Sequence, residues 1–294
     1  MTPLPEPPWG PLLGTYFVLI GAVSGASLVA WWIGYRYDER PEIEWALEWI
    51  ALGLLSVGAI ILVADLGRPM RFFLMLTQFS NLTSPMSVGA KVLGLEFFLL
   101  AVSLYLLHRQ RQAGRAGKHR AGAGPTARTF ATVRTALVLT SLLLAMYPVA
   151  LLSRTWTSPL ARSQGSAAIF LVTAVLMGVA LARIVTVFVL DGADGHLAAD
   201  LGRMTLGLIC VEALLLALEA LALVGAGPAV AAAVDELTHG DARTAFWGLV
   251  VGIGLAVPIA GVLLSRNLRF VSSVTAVAAI VGAGTTRYLL FAAH

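Results

Sequence analysis

No long hydrophobic stretch of this sequence contains a histidine. All five histidines fall in the connections between these stretches or at the end of the chain: His108, His119, His196, His239 and His294. A redox subunit that carries electrons within a membrane usually holds haem through histidines on its helices. We therefore expect no haem and no metal in this chain. A role in respiration would require a diffusible carrier, with electrons supplied by a partner.

Cysteine and charge are also scarce. The single cysteine, Cys210, excludes an internal disulfide and a cysteine-ligated iron–sulfur cluster. Charged residues make up 12% of the 294 residues and hydrophobic residues 58%, which is too little charge to cover the surface of a soluble protein. The net charge of +4 comes from basic residues in the connections, so we expect a lipid membrane and no nucleic acid as partner.

Eight hydrophobic stretches are each long enough to cross a membrane, for which a helix needs about 20 residues. The predicted spans are 12–34, 45–64, 87–107, 134–152, 166–190, 204–224, 245–264 and 271–291. Helices satisfy all backbone polar groups in lipid, so the predicted fold class is all-α, a polytopic integral membrane protein with eight transmembrane helices. We expect two four-helix bundles, the first from 1–107 and 130–160 and the second from 161–294, with 108–129 as a basic linker.

The distribution of positive charge predicts the orientation. The connections after the first, third, fifth and seventh spans carry eleven Lys and Arg residues, and those on the opposite side carry five. Cytoplasmic connections are enriched in Lys and Arg, so the first surface, called here the basic face, is expected to be cytoplasmic. The linker 108–129 then lies in the cytoplasm. The predicted location is the cell inner or plasma membrane. Both termini are expected on its extracytoplasmic side.

Three further stretches carry more information than hydrophobicity. DLGRPMRF at 65–72 leaves the second span, TSPMSVGA at 83–90 enters the third, and MYP at 146–148 lies near the end of the fourth. Together with YFVLIG at 16–21, they resemble the NrfD / polysulfide reductase membrane-subunit family. The resemblance covers most of the chain as an eight-helix pattern and is specific in the first 160 residues.

This resemblance implies a quinone-reactive membrane subunit of a respiratory oxidoreductase complex. The implied partners are a four-cluster ferredoxin-like iron–sulfur subunit and a molybdenum bis-pterin catalytic subunit. The implied substrate is menaquinone or ubiquinone, bound in the first bundle. Tyr147 matches the family's tyrosine on the fourth helix, Tyr16 replaces a polar residue on the first, and Lys91 stands where the family has an aromatic residue.

Tyr16 and Tyr147 are expected at similar depth, each about one turn from the outer end of its helix. A phenol there either serves as an interfacial anchor or donates a hydrogen bond to a quinone carbonyl. Pro148 frees a helical carbonyl next to Tyr147, which favours a kink around a pocket.

Asp65 and Arg68 end the second span together with Arg71. They form either an interfacial salt bridge, or a site in which Asp65 takes the protons of quinol oxidation while Arg68 holds it. A third alternative places Arg68 and Arg71 on the docking surface for the partner.

Lys91 and Glu96 are ionisable groups inside the third span, where each costs about 2.5–3.5 kcal/mol at the centre. Lys91 lies near the outer end and is expected to snorkel. Glu96 lies near the middle and is expected to face the bundle interior. Five residues apart, the two point in different directions, so we expect no direct pair. Glu96 either lies on a proton path or makes a structural hydrogen bond.

Arg183, Glu212 and Glu219 are further ionisable side chains inside the spans of the second bundle. Arg183 and Glu212 lie at comparable depth, so they form either a neutralising pair or, with Glu219, part of a proton path. Two alternatives to the redox function remain open, a secondary transporter and a passive membrane anchor. No counterpart of the 65–72 or 83–90 motif occurs after residue 165, so the repeated halves common in transporters are not evident.

Overall fold

The computed structural model describes residues 11–37, 41–65, 84–115, 125–153, 165–189, 195–223, 228–264 and 269–292. Helices account for nearly all of these residues, and none of them is in a strand. The helices are α1 (Pro11–Arg36), α2 (Pro41–Asp65), α3 (Pro85–Arg115), α4 (Pro125–Leu152), α5 (Ser166–Val189), α6 (Gly195–Leu223), α7 (Pro228–Thr238), α8 (Val257–Leu264) and α9 (Arg269–Ala292). A π-helical segment, Ala245–Ala256, runs directly into α8.

Within the described residues, eight helical segments are long and apolar enough to cross a membrane. They coincide with the eight predicted spans, which confirms the all-α polytopic fold. Of the nine α-helices in the described residues, five begin at a proline. Proline suits the first helical position because its missing N–H would have no intrahelical acceptor there and its φ is already helical.

The main differences from the predicted spans lie at helix ends. α6 begins at Gly195, nine residues before the predicted span, and α4 begins at Pro125. Both extensions are polar, so a search for hydrophobic stretches stops before them. The short helix α7 lies in a connection for which no helix was predicted.

α1 is the most buried of the eight spans and packs against α2, α4, α5 and α9. Its crossing with α5 is close because a glycine stands on each side. A methyl group at Gly25 would lie 1.8 Å from the Ala174 carbonyl oxygen, and one at Gly178 would lie 2.1 Å from the Gly25 carbonyl oxygen. Small residues at such crossings let two backbones approach within a membrane. Gly25 and Gly178 therefore have a packing role at this crossing.

The largest apolar core contains residues from each of the first four helices, α1, α2, α3 and α4, and also from α5 and α9. Helices assigned to the two predicted bundles thus share one core. The division into two bundles at residue 160 stays a prediction. α6 is the least buried span, and most of its surface faces outward.

Candidate functional site: two tyrosines and a line of buried acids

Tyr16 lies inside the helix assembly. Its side chain is 1% exposed. The ring packs against α2, where a methyl group at Gly58 would lie 3.6 Å from its Cδ2, and against the ring of Phe17 at a centroid distance of 5.7 Å. An interfacial anchor needs its hydroxyl in the headgroup region. The burial of Tyr16 favours the alternative, a phenol that serves an interior site.

Tyr147 packs against α3, on the segment that carries the 83–90 motif. A methyl group at Gly89 would lie 2.1 Å from Tyr147 Cε2 and 2.6 Å from its hydroxyl oxygen. Glycine at position 89 is therefore what leaves room for this ring. The MYP and TSPMSVGA stretches, about 60 positions apart in the chain, form one contact.

The two tyrosines belong to the same apolar core. Their phenol groups are close enough to interact electrostatically. Among the described residues, no side chain or carbonyl accepts a hydrogen bond from either hydroxyl. Within the part of the chain that the structure describes, both phenols thus have unused donors, and both lie near the outer ends of their helices, α1 and α4. α4 continues through Pro148, which leaves the Leu144 carbonyl without its usual helical donor.

The outer end of α2 is described only in part. Asp65 is the last residue of α2 and is partly exposed. Arg68 and Arg71 lie outside the described residues, as does most of the 65–72 motif. The three alternatives for Asp65 and Arg68 therefore stay predictions.

Lys91 directs its ammonium group along α3 toward the outer end. Nζ donates to the Ser87 hydroxyl at 2.6 Å and contacts the Ser87 carbonyl oxygen at 3.3 Å. Ser87 is one turn nearer the outer face, so this geometry agrees with the expected snorkelling.

Glu96 faces the interior, as predicted. Its side chain is 0% exposed. Ser141 Oγ donates to Oε1 at 2.6 Å, and Thr140 Oγ1 donates to Oε2. These two hydroxyls lie on α4, about two turns before Tyr147. Glu96 is thus tied to the helix that carries the tyrosine.

Two more glutamates, Glu44 and Glu48, are buried near the inner end of α2. Arg134 of α4 pairs with Glu44, with 2.8 Å between Nη2 and Oε1. Ser103 of α3 donates to Glu48 Oε1 at 2.8 Å. Neither acid was predicted: Glu44 lies just before the predicted span 45–64, and Glu48 lies in the first turn of that span. Glutamates four residues apart share one helix face, and that spacing was the available signal.

The polar residues of the second half form separate contacts. Arg183 donates to the hydroxyls of Thr205, Ser272 and Thr275 at 3.0–3.4 Å. Glu212 Oε1 accepts from Thr286 at 3.1 Å. Of the two alternatives for Arg183 and Glu212, the neutralising pair does not form between these two described residues. Arg183 and Glu212 lie at different depths. Thr205, which Arg183 contacts, precedes Glu212 by seven residues, or about 10 Å along α6.

Glu219 lies at the outer end of α6 and is 9% exposed. A methyl group at Gly165 would lie 1.9 Å from its Oε2, so the carboxylate rests against the start of α5. Its Oε1 has no hydrogen-bond partner among the residues that the structure describes. Its predicted place on a proton path stays a prediction.

Arg287 of α9 is a buried cation that was not among the predicted site residues. Its side chain is 0% exposed. The guanidinium donates to the carbonyl oxygens of Phe170 at 2.6 Å, Phe17 at 3.2 Å and Ala145 at 3.3 Å. Phe17 adjoins Tyr16, and Ala145 lies two residues before Tyr147, so the guanidinium binds the backbone of the same helix segments that carry the two tyrosines. The sequence places this arginine inside the predicted span 271–291, where a charged side chain is costly in lipid and is therefore expected to face the protein interior.

Gly21 makes this position possible. A methyl group there would lie 2.5 Å from the Arg287 guanidinium carbon. Arg287 also lies 4.6 Å over the ring of Phe170, which adds a cation–π contact. The described residues contain no group of three or more His, Cys, Asp or Glu side chains that could hold a metal ion.

Comparison with known proteins adds one positive result. A family model described as "Polysulphide reductase, NrfD" matches residues 4–294, which is nearly the whole chain. No curated protein sequence matches it significantly.

Proposed function

Because the chain belongs to the NrfD family of multi-pass membrane subunits, we propose that it exchanges electrons with quinone on behalf of an oxidoreductase complex. The observation that carries this proposal is the tyrosine pair. Tyr16 and Tyr147 lie near each other inside the first four helices, and neither hydroxyl has a hydrogen-bond acceptor among the described residues.

The chemistry of the site follows from these donors. Reduction of a quinone takes two electrons and two protons, and negative charge develops on the carbonyl oxygens as electrons arrive. A hydrogen bond from the Tyr147 hydroxyl stabilises that charge, and its effect is large in a site from which water is excluded. The buried guanidinium of Arg287 supplies a fixed positive charge at the backbone of α1 and α4, within the segments that carry the pair. Tyr16 is positioned to bind the same carrier.

Electrons must reach this site from another chain. The predicted spans contain no histidine for axial haem ligation. The family resemblance points to a four-cluster ferredoxin-like subunit as the immediate donor or acceptor and to a molybdenum bis-pterin subunit beyond it. Both would dock at the outer face, where the tyrosines and Asp65 lie. Lys91 supplies a positive charge near the same end of α3.

The protons of the reaction need acids near the tyrosines. Asp65 at the end of α2 is one candidate and would exchange protons with the outer face. Glu96, about two turns deeper, is the other.

The test replaces Tyr147 by phenylalanine in the intact complex and measures quinone-linked turnover. Removal of one hydrogen bond to a developing oxyanion slows catalysis by about 10²–10³-fold, and a fall of at least about tenfold is expected. Tyr105→Phe is the matched control, because Tyr105 is 59% exposed on α3 and its hydroxyl lies outside the site. Equal turnover in both variants would overturn the role of Tyr147.

Copurification in mild detergent tests the function as a whole. The proposal expects iron–sulfur and catalytic chains to accompany this subunit. Isolation without redox partners, combined with substrate uptake by the lone protein in vesicles, would instead support a transporter. Partners together with unaltered turnover in both Tyr16→Phe and Tyr147→Phe would support a passive anchor.

A further inference from the structure

Arg183 is a buried cation near the basic face, in the second half of the chain. It lies on α5 six residues before Val189, the last residue of that helix, or about 9 Å along the axis. The residue is 7% exposed. Charged side chains inside transmembrane segments are costly and are almost always paired with one another or with backbone carbonyl groups. The described partners of Arg183 are of neither kind, which sets it apart from Arg134 and Arg287.

The partners that Arg183 has are neutral hydroxyl groups. Nη1 donates to Thr205 of α6 at 3.4 Å. Nη2 donates to Ser272 and Thr275 of α9 at 3.3 Å and 3.0 Å. Bonds from a guanidinium to an anionic oxygen are typically shorter, about 2.7–2.9 Å. Three hydroxyls from two neighbouring helices therefore hold the guanidinium in place without neutralising its charge.

The described carboxylates on the adjoining helix α6 are engaged elsewhere. Asp200 pairs with Arg203 at 3.3 Å. Glu212 accepts a hydrogen bond from Thr286 and lies two turns further along α6 than the hydroxyl that Arg183 binds. Within the described ranges, no carboxylate forms an ion pair with Arg183. The positive charge thus has no counter-ion in this part of the protein.

Several donors at this position remain available. A guanidinium has five N–H donors, and its three hydrogen bonds leave two of them without an acceptor among the described groups. Thr205 donates its own proton to the Leu201 carbonyl oxygen at 2.8 Å. Thr275 donates likewise to the Ser272 carbonyl oxygen at 3.0 Å. The proton of the Ser272 hydroxyl has no acceptor among the residues that the structure describes, and Ser272 is partly exposed.

The start of α9 adds positive potential to the same place. α9 begins at Arg269, so Ser272 lies in its first turn. The first N–H groups of a helix have no intrahelical acceptor, and this end of the helix carries partial positive charge. A guanidinium bound to this turn therefore adds charge of the same sign. An anion at this position would be attracted by both groups.

α8 packs against this cluster on one side. A methyl group at Gly261 of α8 would lie 2.0 Å from Thr275 Cγ2, so the absence of a side chain at position 261 is what lets α8 lie against α9 there. α8 also contacts α6. The hydroxyls and the guanidinium are thus enclosed by four helices near the basic face. Pockets with positive charge between transmembrane helices on the cytoplasmic side are typical binding sites for phosphate-bearing lipid headgroups.

We propose that Arg183 and Ser272 bind a phosphate group at the basic face, with Thr205 and Thr275 holding the guanidinium in position. The planar guanidinium can donate two parallel hydrogen bonds to phosphate oxygens, and the serine hydroxyl adds a third. An anionic phospholipid of the adjacent leaflet and free phosphate share this chemistry. The site lies outside the first four helices and does not include the tyrosine pair, so it is independent of the proposed quinone chemistry.

The test measures ligand binding to the full chain, with any subunits that copurify, in mild detergent. The thermal midpoint is recorded against the concentration of dioctanoyl phosphatidylglycerol and of dioctanoylglycerol, which has the same acyl chains but no phosphate. A ligand that binds only the folded protein raises the midpoint once its concentration exceeds the Kd. Phosphatidylglycerol should give a saturable rise and dioctanoylglycerol none. Inorganic phosphate alone forms the third arm of the experiment.

Three variants locate the site. Arg183→Met should raise the half-saturating concentration of phosphatidylglycerol at least about tenfold, because hydrogen bonds to a charged group are lost. Arg183→Lys keeps the charge without the paired geometry and should lie between the two. Ser272→Ala should weaken binding several-fold. Arg203→Gln is the matched control, because Arg203 belongs to the same face and its side chain is 77% exposed. It should leave the half-saturating concentration unchanged.

The outcomes are decisive in each arm. Equal midpoints with phosphatidylglycerol and dioctanoylglycerol, and no rise with inorganic phosphate, would overturn the phosphate site. This comparison uses the unmodified chain, so it decides even if Arg183→Met does not fold. Equal weakening by Arg183→Met and Arg203→Gln would show general attraction to the basic face and would also overturn it. A saturable rise with inorganic phosphate that depends on Arg183 would support the site and assign it to free phosphate.

Discussion

Replacing Gly25 by alanine tests the close crossing of α1 and α5. The added methyl group would lie 1.8 Å from the Ala174 carbonyl oxygen and 2.8 Å from the Gly178 nitrogen. Both are backbone atoms and cannot rotate away. The two helices would have to separate by roughly 1.5 Å to restore an ordinary van der Waals distance.

The expected cost combines two opposing effects. Overpacking a tight core costs about 1–3 kcal/mol, and the upper end applies because backbone is displaced. Alanine is a better helix former than glycine by about 1 kcal/mol, which offsets part of this cost. A net destabilisation of about 2 kcal/mol remains. In a chain of this size, that corresponds to a fall of roughly 4–8 °C in the thermal midpoint.

The measurement is the midpoint for loss of the monodisperse detergent-solubilised peak on heating. Gly53→Ala is the control, because no atom lies within 4 Å of a methyl group at that position of α2. It should leave the midpoint unchanged or raise it slightly. If Gly25→Ala and Gly53→Ala had the same midpoint, the inferred contact between α1 and α5 would be refuted.

Three further substitutions test the site. Gly89→Ala should push the Tyr147 ring aside and lower quinone-linked turnover at least about tenfold in an assembled complex, and unchanged turnover would contradict the packing of this ring on α3. Arg287→Met removes the fixed positive charge and should lower turnover at saturating quinone more than Arg287→Lys does, whereas equal rates would exclude an electrostatic role. Arg134→Met leaves Glu44 as a buried carboxylate without its ion-pair partner and should lower the thermal midpoint more than Arg134→Lys does, and equal midpoints would contradict the importance of this pair.

The fold was largely predictable because membrane insertion imposes a simple constraint. A segment that crosses lipid must be long, apolar and helical, and all three properties are evident in the sequence. The polar first turns of α6, including Asp200 and Arg203, lie outside that constraint. Asp200 accepts a hydrogen bond from Tyr37 and pairs with Arg203 at 3.3 Å, and these tertiary contacts are invisible to a hydropathy window.

The site was predictable where one residue alone carried the signal. The inward orientation of Glu96 followed from the cost of exposing a carboxylate to lipid, and the structure confirms it. Partners were harder to predict. Arg183 pairs with hydroxyl groups and not with Glu212, since the relative depth of two helices depends on packing that a single sequence does not specify.

The contacts of Arg287 also bear on how the protein is made. α9 follows the other seven spans in synthesis, yet its guanidinium joins carbonyl groups of α1, α4 and α5. Until that helix inserts, the nascent chain has no cation at this point, and the environment of Tyr16 is incomplete. Completion of the proposed quinone site is therefore a late event in biogenesis, after the other seven described spans have been translated.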